Sequence, residues 1–324
     1  MSDEAAAAAA GVPEAAGAAW EDVSPELDLG PPPEAVLEYA RQHLGESPDT
    51  KMAAVQELRD LVYERGEAQP HRTDDAFLVR FLRARRFDVE KAHQLMVDYY
   101  SFKEANPDLH EDVHPLRLRF IGEDGVMSAL PYRDQTGRRV IIYRIGQWRP
   151  GAYSVDELLK TSVLLMELAV LEARTQVLGY SCIFDMAGLS LYHAWNVTPS
   201  VAAKVVQLLV SSFPIRTHGI HIVNQSWVFD IIFSIFRPLL NERMRSKIHF
   251  HGADMESLHA HVQPKYLPER YGGCRPEYSY TQWLDSLTRN TAIIKEMESL
   301  GYVFDPAELS QDADLIEDSQ SGSA

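Results

Sequence analysis

The chain has 324 residues, 45% of them apolar and 24% charged, with 18 Gly and 18 Pro, which excludes collagenous, mucin-like and wholly disordered classes and leaves material for a large domain plus an accessory one. Its formal charge of −16 sits at the ends: residues 1–35 hold eight acids and residues 296–324 eight more, with no Lys or Arg in either, so the middle balances at 31 acids and 31 bases. Such a balance argues against general nucleic-acid binding and leaves room for a local basic patch on a neutral body.

Residues 1–32 are rich in Ala, Gly, Pro and acid and end in Pro31-Pro32-Pro33, the composition of a disordered acidic leader. The leader has neither the basic nor the long apolar region of a secretory signal, and Cys182 and Cys274 cannot form a disulfide framework, so a cytoplasmic, reduced chain is expected. Residues 33–110 read as a helical module. Leu37, Ala40 and Leu44, then Val55, Leu58 and Val62, then Phe77, Leu78, Phe81 and Leu82 recur at spacings of three and four. Asp74 and Asp88 stand where helix caps belong.

From 111 to 276 the pattern changes. Short β-branched or aromatic runs at 139–145, 180–185, 219–224 and 247–250 alternate with helical stretches at 154–174, 198–212 and 226–245, the order of an α/β domain with a mostly parallel sheet. Residues 277–324 read as a final helix, 280–297, and an acidic tail. No apolar run approaches the roughly 18 residues needed to span a bilayer.

The helix beginning at Trp227 is the most informative segment. Its polar residues Asp230, Ser234, Arg237 and Asn241 form one narrow stripe, and Trp227, Val228, Phe229, Ile231, Ile232, Phe233, Ile235 and Phe236 cover the rest. Either it is a core helix packed under a loop, or it is a lid, apolar toward a cavity on one side and toward a membrane on the other. Between Lys204 and Lys247 six Lys or Arg face two acids. That is either scattered surface charge or the flank of an anionic-lipid surface, where each such residue contributes about 1 kcal/mol. The histidines 218, 221, 249, 251, 259 and 261 invite a metal reading, but no Cys or carboxylate stands at ligand spacing, so no metal is expected. No nucleophile elbow, P-loop, dinucleotide fingerprint or zinc-protease motif is present, and Asp185 at a strand end has no recognisable nucleophile partner, so a non-enzymatic protein is expected. Glu167, within an apolar helix, is either a pocket polar group or an ion-pair member.

The run from Phe77 to Asp88, together with Gly137 to Ile145, Glu172 to Gln176, Ser212-Phe213-Pro214-Ile215-Arg216, Arg237-Pro238-Leu239-Leu240 and Leu267 to Gly273, resembles the CRAL-TRIO lipid-transfer family. The resemblance covers about residues 35 to 276 and lies nearest the animal branch that includes tocopherol and retinaldehyde carriers and the clavesins. It implies an all-helical N-terminal module beside an α/β CRAL-TRIO domain at 111–276, with a hydrophobic cavity over a sheet floor and under a helical lid. It also implies one bound hydrophobic lipid or isoprenoid in place of a cofactor, and exchange at membranes carrying phosphatidylinositol phosphates, at endosomes or elsewhere. Carried over, the pocket positions are Ser162, Met166, Leu208, Leu209, Phe213, Ile215 and Ile220. The phosphoinositide positions are Arg216, His218, Arg243 and Lys247, with Arg83 or Arg85 as a weaker addition. Two departures matter. Met166 stands where tocopherol carriers have a second serine, so cavity volume outweighs hydrogen bonding in setting the ligand. His218 stands where they have arginine, and a histidine of ordinary pKa makes phosphoinositide binding tighten on acidification. The alternative is a lipid-regulated adaptor in endosomal or vesicle traffic, with a protein partner for the acidic tails.

Overall fold

The computed structural model describes residues 26–305 and 307, so the expected disorder of residues 1–25, and the tail from 308, lie outside the described residues. Four helices open the described chain: α1 (Glu34–Leu44), α2 (Pro48–Arg65), α3 (Asp75–Ala84) and α4 (Val89–Ala105). The starts of α2, α3 and α4 are capped as their sequences require. Ser47 and Thr50 form a reciprocal capping box, Asp74 accepts from the Phe77 amide and Asp88 from the Lys91 amide. The apolar stripes meet in an aromatic ladder, Phe77 on Phe81 and Phe81 on Tyr99, with edge-to-face centroid separations of 5.3 and 5.8 Å.

After α5 (Arg119–Glu123) the chain enters a five-stranded sheet: β1 (Met127–Arg133), β2 (Arg139–Arg144), β3 (Tyr180–Asp185), β4 (Thr217–Val223) and β5 (Ile248–Gly252), in spatial order 1-2-3-4-5. β2 through β5 run parallel, as the alternation of strands and helices predicts, and β1 joins β2 antiparallel. β1 escapes the sequence pattern because Pro131 interrupts it. The register shifts between Ala129 and Arg133, and a proline is tolerated on such an edge. The crossovers are α6 (Val155–Leu171) with α7 (Ala173–Leu178), α8 (Leu191–Trp195) with α9 (Pro199–Val206), and α10 (Trp227–Phe236) with α11 (Glu242–Arg245). Strands added in one direction through right-handed crossovers gather these helices on one sheet face.

Period-two alternation then sorts the side chains. Val140, Ile142, Ile183 and Val223 pack on the far face with Leu258 of α12 (Met255–His259) and with Tyr266 and Tyr271. Ile141, Tyr143 and Cys182 face the crossover helices, as do Ile220, Ile222 and Ile248.

Three elements depart from the sequence reading. The helix expected over 154–174 breaks at Glu172, whose buried carboxylate accepts from Arg133, Arg139, Thr175 and the Asp28 amide. Asp28 and the buried Leu27 therefore lie against the body, although residues 1–32 read as a disordered leader. The final helix is two, α13 (Thr281–Arg289) and α14 (Thr291–Ser299), because the Asn290 side chain caps the second. Glu296, counted with the acidic tail, pairs instead with Arg72 and Arg80 of the helical module.

Candidate functional site

Between the sheet face and the crossover helices lies a cavity with about 190 Å³ open to the centre of a water-sized sphere. Its floor is Tyr143, Phe184, Ile220, Ile222 and Ile248; one wall is Leu158, Leu159 and Ser162 of α6. The opposite wall is Val201, Val205 and Val206 of α9 with Leu208, Leu209 and Val210. Those last residues belong to a π-helical turn, Gln207–Ser211, that extends α9. Such a turn leaves the regular hydrogen-bond ladder and recurs at functional sites.

The cavity's cover is α10. Phe229, Ile232, Phe233 and Phe236 line it, at the i, i+3, i+4, i+7 spacing of one helical face. Val228 is buried and Ile235 half-buried, while Trp227 (64% exposed) and Ile231 look outward. Asp230, Ser234, Arg237 and Asn241, the expected polar stripe, are exposed as well. Helix α8 packs beside α10 and adds Leu191, Tyr192 and Trp195 (75% exposed) to the outer apolar surface. The helical stretch expected over 226–245 is interrupted at Pro238: a 3-10 turn, Arg237–Leu239, follows α10 at once, and α11 starts only at Glu242.

Of the residues carried over for the pocket, Ser162, Leu208, Leu209 and Ile220 line this cavity. Met166, Phe213 and Ile215 do not; they are buried in the core shared with the helical module. Met166 lies one turn beyond Ser162 on α6, beside Glu167. Phe213 sets its ring edge against Tyr99 and Phe102 of α4, at 5.5 and 6.1 Å. Glu167 is an ion-pair member: it accepts from the Tyr99 hydroxyl at 2.8 Å and the Lys103 ammonium at 3.2 Å, tying α6 to α4. Asp185 is likewise occupied, by the Tyr271 hydroxyl and the Asn224 amide.

Away from the cavity lining, the basic residues converge from four segments. Burial first, then the charges of Arg243, Arg216, Arg85 and Arg86, lowers the Lys247 ammonium to a pKa of about 8. Arg216 feels Arg86 and Arg138, and Arg85 feels Arg243, with Asp98 the acid acting on it. Cations packed closely enough to depress one another form a surface prepared for an anion. Arg83 is not part of it. That guanidinium is buried, holding both oxygens of Glu46 at 2.7 and 2.8 Å and donating to Gln176. Arg86 and Arg138 were missed by the sequence reading. Their signals were the Arg85-Arg86 pair and Gly137-Arg138-Arg139, segments far apart in sequence.

His218 stands at this patch, but burial and the charges of Arg138, Lys247 and Arg216 hold its pKa down to about 3. The expected tightening on acidification through His218 is therefore withdrawn: it stays neutral across the physiological range. Of the remaining histidines, His221, His249 and His251 follow the strand alternation onto the far sheet face. There the three rings stack, His261 sets its ring at a tilt against His249 at 4.3 Å, and His221 Nδ1 lies 3.1 Å from His251 Nε2. Among the described residues no group of three or more His, Cys, Asp or Glu is placed to hold a metal ion, and no helix is long and apolar enough to cross a membrane.

Comparison with known proteins gives consistent matches. Residues 123–273 match the CRAL/TRIO domain model and residues 34–98 the CRAL/TRIO N-terminal domain model. The chain is 35% identical to alpha-tocopherol transfer protein-like of Homo sapiens over 268 residues, 80% of this chain and 78% of the relative. It is 34% identical to clavesin-2 of Homo sapiens over 263 residues, 81% and 80%. The crystal structure of Sfh5 superposes with a TM-score of 0.49 at 15% identity, covering 73% of this chain and 91% of that one.

Proposed function

Because the chain belongs to the CRAL/TRIO family, we propose that it is a carrier that shelters one hydrophobic molecule in the cavity under α10 and exchanges it at phosphoinositide-bearing membranes. The observation that carries the reading is the division of α10. One face closes an apolar cavity and the other offers Trp227 and Ile231 to the surroundings. A helix with that division can leave its cavity without exposing fresh apolar surface to water, provided a bilayer receives it. The apolar lining supplies affinity of about 25 cal/mol per Å² of ligand surface withdrawn from water.

The cations Arg85, Arg86, Arg216, Arg243 and Lys247 are the address, and the buried Arg138, which donates to the Leu178 carbonyl, adds its charge to theirs. They suit a phosphorylated inositol headgroup, which presents several anionic oxygens at once. The outward residues Trp195, Tyr192 and Trp227 suit the acyl boundary, where amphipathic aromatic rings are favoured. The carrier works at the cytoplasmic surface of endosomal or similar membranes and alters no covalent bond of its cargo.

The test is gentle purification of the full chain followed by mass spectrometry of the organic extract. One apolar molecule per chain is expected. A chain that is bare when isolated, and that takes up nothing from mixed-lipid vesicles, overturns the reading.

A further inference from the structure

Among the described residues lining the cavity, only three side chains carry nitrogen or oxygen: Tyr143, Trp148 and Ser162. Two of these are engaged as donors. The Trp148 ring N–H donates to the Tyr153 carbonyl at 3.0 Å, and the Ser162 hydroxyl to the Leu158 carbonyl at 2.8 Å. The Tyr143 hydroxyl is buried and has no hydrogen-bond partner. Ser162 is near enough to influence it, yet no bond of ordinary geometry joins them. The ring cannot swing away to find a partner. It stacks on Phe184 of the neighbouring strand at 4.7 Å and 7°, the register partner across the β2–β3 pair.

A buried donor with no acceptor costs about 1–3 kcal/mol, a cost relieved when something in the cavity accepts from it. We propose that Tyr143 is a specificity-determining residue of the cavity, donating its O–H to a neutral oxygen on the cargo. The cargo is therefore a long apolar molecule with one alcohol, ether or carbonyl oxygen. The lining holds no Lys, Arg or His, so a carboxylate or phosphate group would be buried without a cation and is excluded. Burial also pushes the Tyr143 phenol well above its ordinary pKa, so it remains a donor throughout the physiological range. Ser162, its proton already committed, can still accept from the same ligand oxygen when that oxygen is an alcohol.

This proposal rests on the carrier reading, and the experiment separates the two. The full chain is equilibrated with phosphatidylcholine vesicles holding equal mole fractions of 1-hexadecanol, hexadecane and palmitate; the protein is recovered and its cargo quantified. Wild type should retain the alcohol over the alkane about fivefold, the worth of one net hydrogen bond, and little palmitate. Tyr143→Phe should take up as much in total with the ratio near one, and should be at least as stable when empty because the orphaned hydroxyl is gone. Ser162→Ala should keep most of the preference. A ratio unchanged by Tyr143→Phe, a preference abolished by Ser162→Ala instead, or retention of palmitate over the alcohol each overturns the assignment of Tyr143. Failure of wild type to take up any of the three would overturn the carrier reading itself.

Discussion

Trp227 and Phe229 stand two residues apart on one helix and meet opposite surroundings: the first is 64% exposed and the second 4%, its ring turned into the cavity. The roughly 200° between them on a helix of 3.6 residues per turn makes a single segment serve as ceiling and as outer surface. Trp227→Ala should weaken binding to neutral vesicles about tenfold, the loss expected when one large apolar side chain is no longer buried. Cargo content should not change. Vesicle co-sedimentation and extraction of the bound molecule measure the two effects separately.

The basic patch should respond to charge removal without loss of the fold. Arg243→Gln with Lys247→Gln should lower affinity for vesicles containing phosphatidylinositol phosphates about thirtyfold, taking about 1 kcal/mol for each cation near the surface. Affinity for neutral vesicles should hold. Raising the salt concentration should weaken wild type toward the variant, since salt screens the attraction between the patch and the anionic headgroups.

Lys247, at a pKa of about 8, gives the same surface a pH dependence on the alkaline side. An anion binds the protonated amine, so affinity should be steady below about pH 7.5 and fall as the amine discharges through pH 8 to 9. Lys247→Arg should flatten that fall. His218→Asn should leave the response between pH 5.5 and 7 unchanged, because His218 titrates near 3. Equilibrium binding to phosphoinositide vesicles across this range checks both outcomes.

Several buried histidines make the fold sensitive to acid. Desolvation holds His221 at about 2 and His251 and His110 each at about 4, whereas the unfolded chain binds those protons near 6.5. Between those limits the unfolded state carries more protons, so stability is complete above about pH 6.5 and declines as pH falls. Calorimetry should show Tm lower at pH 5 than at pH 7. His221→Asn with His251→Asn should reduce the difference.

The helical module and the α/β domain are joined by buried charge. Removing one partner of the Lys103–Glu167 pair, as in Lys103→Met, should cost about 3–5 kcal/mol because the carboxylate is left buried with Tyr99 as its other partner. Lys103→Met with Glu167→Leu should recover most of it. Urea denaturation of the two variants supplies the comparison.

Much of this architecture was legible in the chain because the signals were local. The β-branched runs marked β2 to β5, and the stripe on α10 separated its exposed polar residues from the four that line the cavity. What escaped depended on contacts between distant segments. Arg86 and Arg138 join the patch only when α3 and β2 meet near β4. Arg83 looked equivalent to Arg85, but Glu46 buries it. Met166, Phe213 and Ile215 came from family resemblance, which transfers positions along the chain and not the local packing that places them in the core. Tyr143 was read as part of a strand; its importance rests on an empty hydrogen bond, which no sequence pattern displays.

The central claim is that the space under α10 carries the cargo. Ile222, on the sheet floor beneath Phe229 and Phe233, can be enlarged to fill it with Ile222→Trp while the basic patch and outer aromatics are left in place. Transfer of a fluorescent hydrophobic lipid from donor to phosphoinositide-containing acceptor vesicles should fall to the spontaneous rate in this variant, with vesicle binding retained. Transfer at the wild-type rate by a folded Ile222→Trp chain would contradict the account.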